Sequence, residues 1–261
     1  MAASLWRTVA EAGGLDAKAR MAAAAALAEA CEEGNGEACE LCATAAPRML
    51  KDANVRVAES GLAALTGVVN GGNAHVLQAH LKQVCASTLE RLGDARPSCR
   101  AAAQAFASAA IAVLGSAVLE RLDGGWKHKN WRVRESMVTV LAAAISESGA
   151  RVMPARALVA TTVPLLSDGQ SAVRAAAADL LVDAASAYGP TLNDALDAHG
   201  GIRPAQAKEL FARMRGGEEP RAAQKQPSSP AAAAMASAPP SGSTLKPIVA
   251  PLLRCSNVAK T

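Results

Sequence analysis

The strongest constraint on this chain is that it repeats itself. Five segments share one plan: LDAKARMAAAAALAEA from Leu15, LKDANVRVAESGLAAL from Leu50, LGDARPSCRAAAQAFA from Leu92, WKHKNWRVRESMVTVL from Trp126 and LSDGQSAVRAAAADLL from Leu166. Each opens on a large apolar residue, and in all but the Trp126 copy an aspartate follows within two positions. A short polar stretch then leads to an arginine and a helix-forming run. The recurring arginines are Arg20, Arg56, Arg100, Arg134 and Arg174, separated by 36, 44, 34 and 40 residues. A period of that size belongs to stacked supersecondary units, none of which can bury its apolar face alone.

The units are helical. Alanine, leucine, glutamate and arginine favour helix, and aromatic residues make up only 2% of the chain, so small side chains must fill the core by close helix packing. Val55, Ala58, Leu62, Leu65 and Val69 advance by three or four, as do Val133, Met137, Val140, Leu141 and Ala144. Each set is one buried stripe on the second helix of a pair. First helices are predicted over Val76–Leu92 and Pro154–Ser167, with Pro154 in a first turn and with Gly149 and Gly189 at helix ends. A closing unit runs from Thr191 to about Arg215. The expected fold is all-α: a HEAT-repeat α-solenoid of about six helix pairs over residues 1–215. Residues 216–261 are rich in proline, serine and alanine, carry more basic than acidic side chains, and read as a disordered tail.

Several functions are disfavoured by what the pattern contains. No phosphate loop, dinucleotide fingerprint or nucleophile elbow occurs, and no enzyme or cofactor is expected. The six cysteines are scattered with no secretory signal before them, which predicts a reducing compartment. Cys39 and Cys42 have no second pair to complete a zinc site, and read as two thiols on a helix face. The apolar run Ala101–Leu119 is interrupted by Gln104, Ser108, Gly115 and Ser116, and reads as a buried helix pair instead of a membrane span. A net charge of +4 without a basic stripe or stacking platform makes nucleic acid an unexpected partner.

What the pattern does offer is an edge. Stacking helix pairs aligns their internal turns: Asp16-Ala17-Lys18, Asp52-Ala53-Asn54, Ala95-Arg96-Pro97, Lys127 to Trp131, and Gly169-Gln170-Ser171. Loops held on a rigid scaffold are favoured binding positions. The fourth is distinctive. WKHKNWRVRE, Trp126 to Glu135, gathers two of the three tryptophans and five basic side chains, counting His128. Trp126 is expected to end a first helix and pack inward, whereas Trp131 reads either as core filler or as an exposed contact. The arginines recurring in register with Asp52, Asp94 and Asp168 read as a structural ladder. Lys127, Lys129 and Arg132 are left for an acidic, protein-like partner. A general HEAT or armadillo scaffold using its concave helical face is the alternative.

WKHKNWRVRE, followed by LSDGQSAVRAAA and AYGPTLNDALDAHGGIRPAQAKEL, resembles the N-terminal TOG domain of the CLASP (CLIP-associated protein) family, the plant and algal branch most closely. The resemblance implies a six-repeat paddle that binds acidic αβ-tubulin along its loop edge and stabilises microtubules in the cytoplasmic cytoskeleton. It implies contacts at Lys18, Asn54, Val55, Arg96, Lys127, Lys129, Asn130, Trp131, Gln170 and Ser171, beside Arg132 of the same loop. This chain departs from the pattern at Ala17, where many tubulin-binding relatives place tryptophan, and at Gln170, where a forward cation is expected.

Overall fold

The computed structural model describes residues 16–216, with side chains through Met214. Trp6 and, past Gly216, the expected tail lie outside the described residues. Among the described residues the regular structure is helical throughout. The helices are α1 (Ala17–Glu32), α2 (Gly36–Leu50), α3 (Val55–Asn70), α4 (Leu81–Leu92), α5 (Pro97–Leu114), α6 (Ser116–Leu122), α7 (Trp131–Ser148), α8 (Ala155–Thr162), α9 (Ser171–Tyr188), α10 (Pro190–His199) and α11 (Pro204–Gly216).

They form two layers. Helices α1, α3, α5, α7, α9 and α11 each pack on the next; in the other layer α2 meets α4, α4 meets α6, and α8 meets α10. This is the stacked-pair solenoid that the repeat requires, with α1 as the described half of the first pair. Both sequence stripes face the core: Val55, Ala58, Leu62, Leu65 and Val69 on α3, and Val133, Met137, Val140, Leu141 and Ala144 on α7, are all buried. Small residues set the spacing between successive helices of a layer. At Gly67 a Cβ would stand 2.9 Å from the backbone nitrogen of Glu32 and 3.1 Å from the carbonyl carbon of Cys31, so α3 meets the end of α1 closely. The turns leaving α5, α7 and α9 use Gly115, Gly149 and Gly189 at φ of 57°, 65° and 55°, where an L side chain is strained. Gly115 also breaks the Ala101–Leu119 run into α5 and α6. No described helix is long and apolar enough to cross a membrane.

The first helices are less regular than the sequence suggests. The stretch predicted as one helix over Val76–Leu92 divides into a 3₁₀ turn, Ala74–Leu77, and α4 from Leu81; nothing in Gln78, Ala79 or His80 marks that break. Pro154–Ser167 also divides, into α8 and a 3₁₀ segment, Val163–Ser167. Pro164 explains this second break, since it has no N–H for the α-helical bond and the chain tightens there. Pro154 itself is the N-cap, one residue ahead of the first turn, at φ −63° and ψ 147°.

Candidate interaction edge

The second to fifth intra-repeat turns are built by one local rule. Three residues before the helix, a side chain accepts the backbone N–H two positions on. Asp52 does this for Asn54 (2.7 Å), Asp94 for Arg96 (2.9 Å) and Asp168 for Gln170 (2.9 Å). The Trp126 copy has no aspartate, and His128 takes the place: its Nδ1 accepts from the Asn130 N–H at 3.1 Å. In the third, fourth and fifth turns the fourth residue of the helix then closes the turn. Arg100 Nη1 donates to the carbonyls of Asp94 and Ala95, Arg134 Nη1 to those of His128 and Lys129, and Arg174 Nη1 to those of Asp168 and Gly169.

Bonds between repeats set these turns in a row. Arg20 grips both carboxylate oxygens of Asp52 at 2.8 and 3.2 Å. Arg91, at the end of α4, donates to the carbonyls of Leu50 (2.5 Å) and Asp52 (3.2 Å) and pairs with Asp94 (2.9 Å). Asn130 Nδ2 donates to the Gly93 carbonyl (3.0 Å), and the Ser136 hydroxyl to that of Leu92 (2.9 Å). Arg134 holds Asp168 through Nε (2.7 Å) and Nη2 (2.8 Å), and Gln206 reaches the Leu166 carbonyl (3.2 Å). The seam links every turn to its neighbour from the first to the start of the sixth repeat, so the five expected loops share one edge.

The seam also fixes the ionisation of its carboxylates. Asp168 is held below the usual carboxylate range by the Arg134 guanidinium, which outweighs burial. For Asp52 and Asp94, burial pushes upward, but Arg20 and the Asn54 N–H, and the Arg96 N–H and Arg91, respectively, carry both below it. The ladder differs from its sequence reading in one repeat. Arg20, Arg100, Arg134 and Arg174 are fourth residues of their helices, whereas Arg56 is the second residue of α3 and Ala58 stands fourth. Arg56 is exposed, and Asp94 takes Arg91 as its partner instead.

Along this edge Lys18, Arg96, Lys127, Lys129, Gln170 and Ser171 are exposed. Among the described residues, Lys18, Lys127, Lys129 and the Arg96 guanidinium make no ion pair. Asn54 and Asn130 are half-buried helix caps: their Oδ1 atoms accept the N–H groups of Arg56 (3.0 Å) and Arg132 (3.1 Å). Val55 departs from the expectation of a contact. It is 9% exposed and belongs to the core, because the first residue of α3 turns inward. Trp126 is buried, as expected, but it does not end the first helix: α6 stops at Leu122 and Trp126 follows a 3₁₀ turn, Asp123–Gly125. Trp131 is half-buried against the core, with the Arg132 guanidinium carbon 5.0 Å from its ring centroid, within cation–π range.

Two contributors were not read from the sequence. His128, a basic residue by type, supplies the acceptor of its turn; its register three residues before the helix, where three other copies carry aspartate, is the available signal. Arg91 lies outside the repeating arginines and left no periodic trace. Elsewhere, Cys31 of α1 and Cys39 and Cys42 of α2 are buried together, and burial is the first cause raising Cys39 to about 11. Among the described residues no group of three or more His, Cys, Asp or Glu is arranged to hold a metal ion.

Comparison with known proteins agrees with this fold. Residues 17–214 match the family described as XMAP215/Dis1/CLASP, TOG domain. The CLIP-associated protein of Arabidopsis thaliana is 33% identical over 132 residues, which is 49% of this chain and 9% of that protein's length. Among solved structures, the MAST/Orbit N-terminal domain superposes with a TM-score of 0.66 at 20% identity, covering 77% of this chain and 92% of that one. A TOG structure concerned with TOG–tubulin binding specificity in microtubule dynamics and mitotic spindle formation gives a TM-score of 0.61 at 20% identity, covering 77% and 78%. At these identities the structural likenesses speak to fold.

Proposed function

Because this chain belongs to the XMAP215/Dis1/CLASP TOG-domain family, we propose that it binds αβ-tubulin along its loop edge and thereby stabilises microtubules or modulates their dynamics. It acts as a scaffold without catalysis, on the microtubules of the cytoplasm. The observation that carries the reading is the fourth loop. Lys127 and Lys129 are exposed without an ion pair among the described residues, beside the Trp131–Arg132 stack. The loop beneath them is fixed by the Asn130 side chain, which donates to the Gly93 carbonyl, and by Arg134, which donates to the His128 carbonyl. Cations on a rigid support lose little freedom on binding, and an aromatic–guanidinium pair is a frequent hot spot. Lys18, Arg96, Gln170 and Ser171 extend the contact along the row, and Asn54, Asn130 and Arg132 shape it.

Size exclusion with soluble tubulin and co-pelleting with microtubules, each at low and moderate salt, test the proposal. Complex formation that weakens as salt rises is expected of a charge-driven edge. Absence of binding in both formats at low salt refutes it.

A further inference from the structure

The arginine seam is incomplete in a patterned way, and its gaps fall on the candidate edge. Arg134 shows the full arrangement. Its Nη1 is pinned by the carbonyls of its own turn at 2.6 and 3.4 Å, and its Nε and Nη2 take both oxygens of Asp168 in the next repeat. Arg100 and Arg174 stand at the same helix position and repeat the first half: Nη1 lies 2.8 and 3.1 Å from its turn's carbonyls in one, 2.8 and 3.2 Å in the other. The second half is missing. The register that Asp168 fills holds His128 in the turn after Arg100 and Gly201 in the turn after Arg174. Among the described residues, Nε and Nη2 of neither arginine have an acceptor.

We infer that Arg100 and Arg174 are carboxylate-binding positions, each presenting a guanidinium fork, held by its own turn, to an aspartate or glutamate side chain of the acidic partner. The inference rests on the reading that this edge meets tubulin. Guanidinium and carboxylate match in a planar, two-bond pair, and a pinned fork loses less freedom in forming it than a mobile side chain does. Both arginines are half-buried, so the pair is less screened than one between surface lysines and acids. His128 makes the first fork available: it keeps the turn bond that aspartate makes elsewhere, yet brings no carboxylate to occupy Arg100. Arg174 supplies a cation in the repeat whose loop offers only Gln170.

The test uses the full chain and αβ-tubulin at fixed low salt, with thermal unfolding of each variant alongside. Arg100→Lys and Arg174→Lys keep the charge and a donor for the turn carbonyls but lose the fork; each is expected to weaken binding about tenfold. His128→Asp restores the in-chain carboxylate. It should raise the unfolding temperature while weakening binding by a similar factor. In the Arg100→Lys background it should weaken binding by only about threefold more, whereas independent effects would multiply. Lysine variants and His128→Asp that all bind within about twofold of the parent, while the parent binds tubulin, overturn this inference and leave the edge reading intact. A parent chain that binds no tubulin overturns the edge reading and this inference with it.

Discussion

Replacing Asp168 with alanine tests the seam that holds the loops in line. The carboxylate accepts three bonds: from Arg134 Nε at 2.7 Å, from Arg134 Nη2 at 2.8 Å and from the Gln170 N–H at 2.9 Å. The two side chains are 17% and 9% exposed, so the pair is largely shielded from solvent. A bond to a charged group contributes about 1.5–3 kcal/mol, whether its donor is the guanidinium or the Gln170 N–H. Water reaching the freed Arg134 guanidinium offsets part of that, because partly exposed pairs are screened. The expected loss is about 2–3 kcal/mol, which in a domain of this size lowers the unfolding midpoint by roughly 5–10 °C. Asp168→Asn, which keeps an acceptor for Gln170, should lose about half as much. Asp179 is the control: its pair with Arg213 is 49% and 37% exposed, and Asp179→Ala should cost about 1 kcal/mol or less. Urea and thermal unfolding followed by circular dichroism give the values. An Asp168→Ala protein within about 0.5 kcal/mol of the parent, or an Asp179→Ala protein destabilised as much, refutes the reasoning.

Three further perturbations probe other parts of the account. Asp52, Asp94 and Asp168 are all held below the ordinary carboxylate range, so in acid the unfolded chain binds more protons than the folded one. Their contribution is fully present above the unfolded-state value of about 4 and is lost as pH falls through the lower folded values; urea midpoints should hold from pH 7 to 5, fall below about pH 4, and fall less steeply in Asp168→Asn. Gly93→Ala would bring a Cβ to 2.6 Å from Asn130 Nδ2 and 2.7 Å from Val133 Cγ2; displacing Asn130 should cost about 1–3 kcal/mol of stability and weaken tubulin binding with no change of charge. Cys39, Cys85 and Cys99 are raised to about 11, with burial the first cause, and all five described cysteines are buried. In a Cys255→Ser chain at pH 8, a thiol-reactive disulfide reagent should therefore label them only at the rate of unfolding.

The second helices and the row of turns were legible in the sequence because both depend on periodicity. The stripes of α3 and α7 follow helical spacing, and aspartate with arginine marks the turns. The register of Arg56 was not legible, because motif alignment tolerates a two-residue shift that geometry does not: α3 begins at Val55, which leaves Ala58 where a ladder arginine would stand. The broken first helices were missed for a different reason. Their apolar residues keep helical spacing across the interruptions, so pattern alone joins Ala74–Leu77 to α4. At the edge, Lys127 and Lys129 were readable as cations without recurring partners. The acceptor role of His128 was hidden because histidine is usually read as a base, and only the turn geometry shows Nδ1 receiving a proton donor.

The central claim is that the fourth loop carries tubulin recognition. The most direct measurement compares the parent chain with Lys127→Glu/Lys129→Glu in tubulin binding at low salt. Both positions are exposed and unpaired among the described residues, so the variant should unfold at the parent's temperature. The account predicts that it loses tubulin binding while remaining folded. A folded double variant that binds tubulin as the parent does would contradict the account and place the interface on another face, such as the concave helical one.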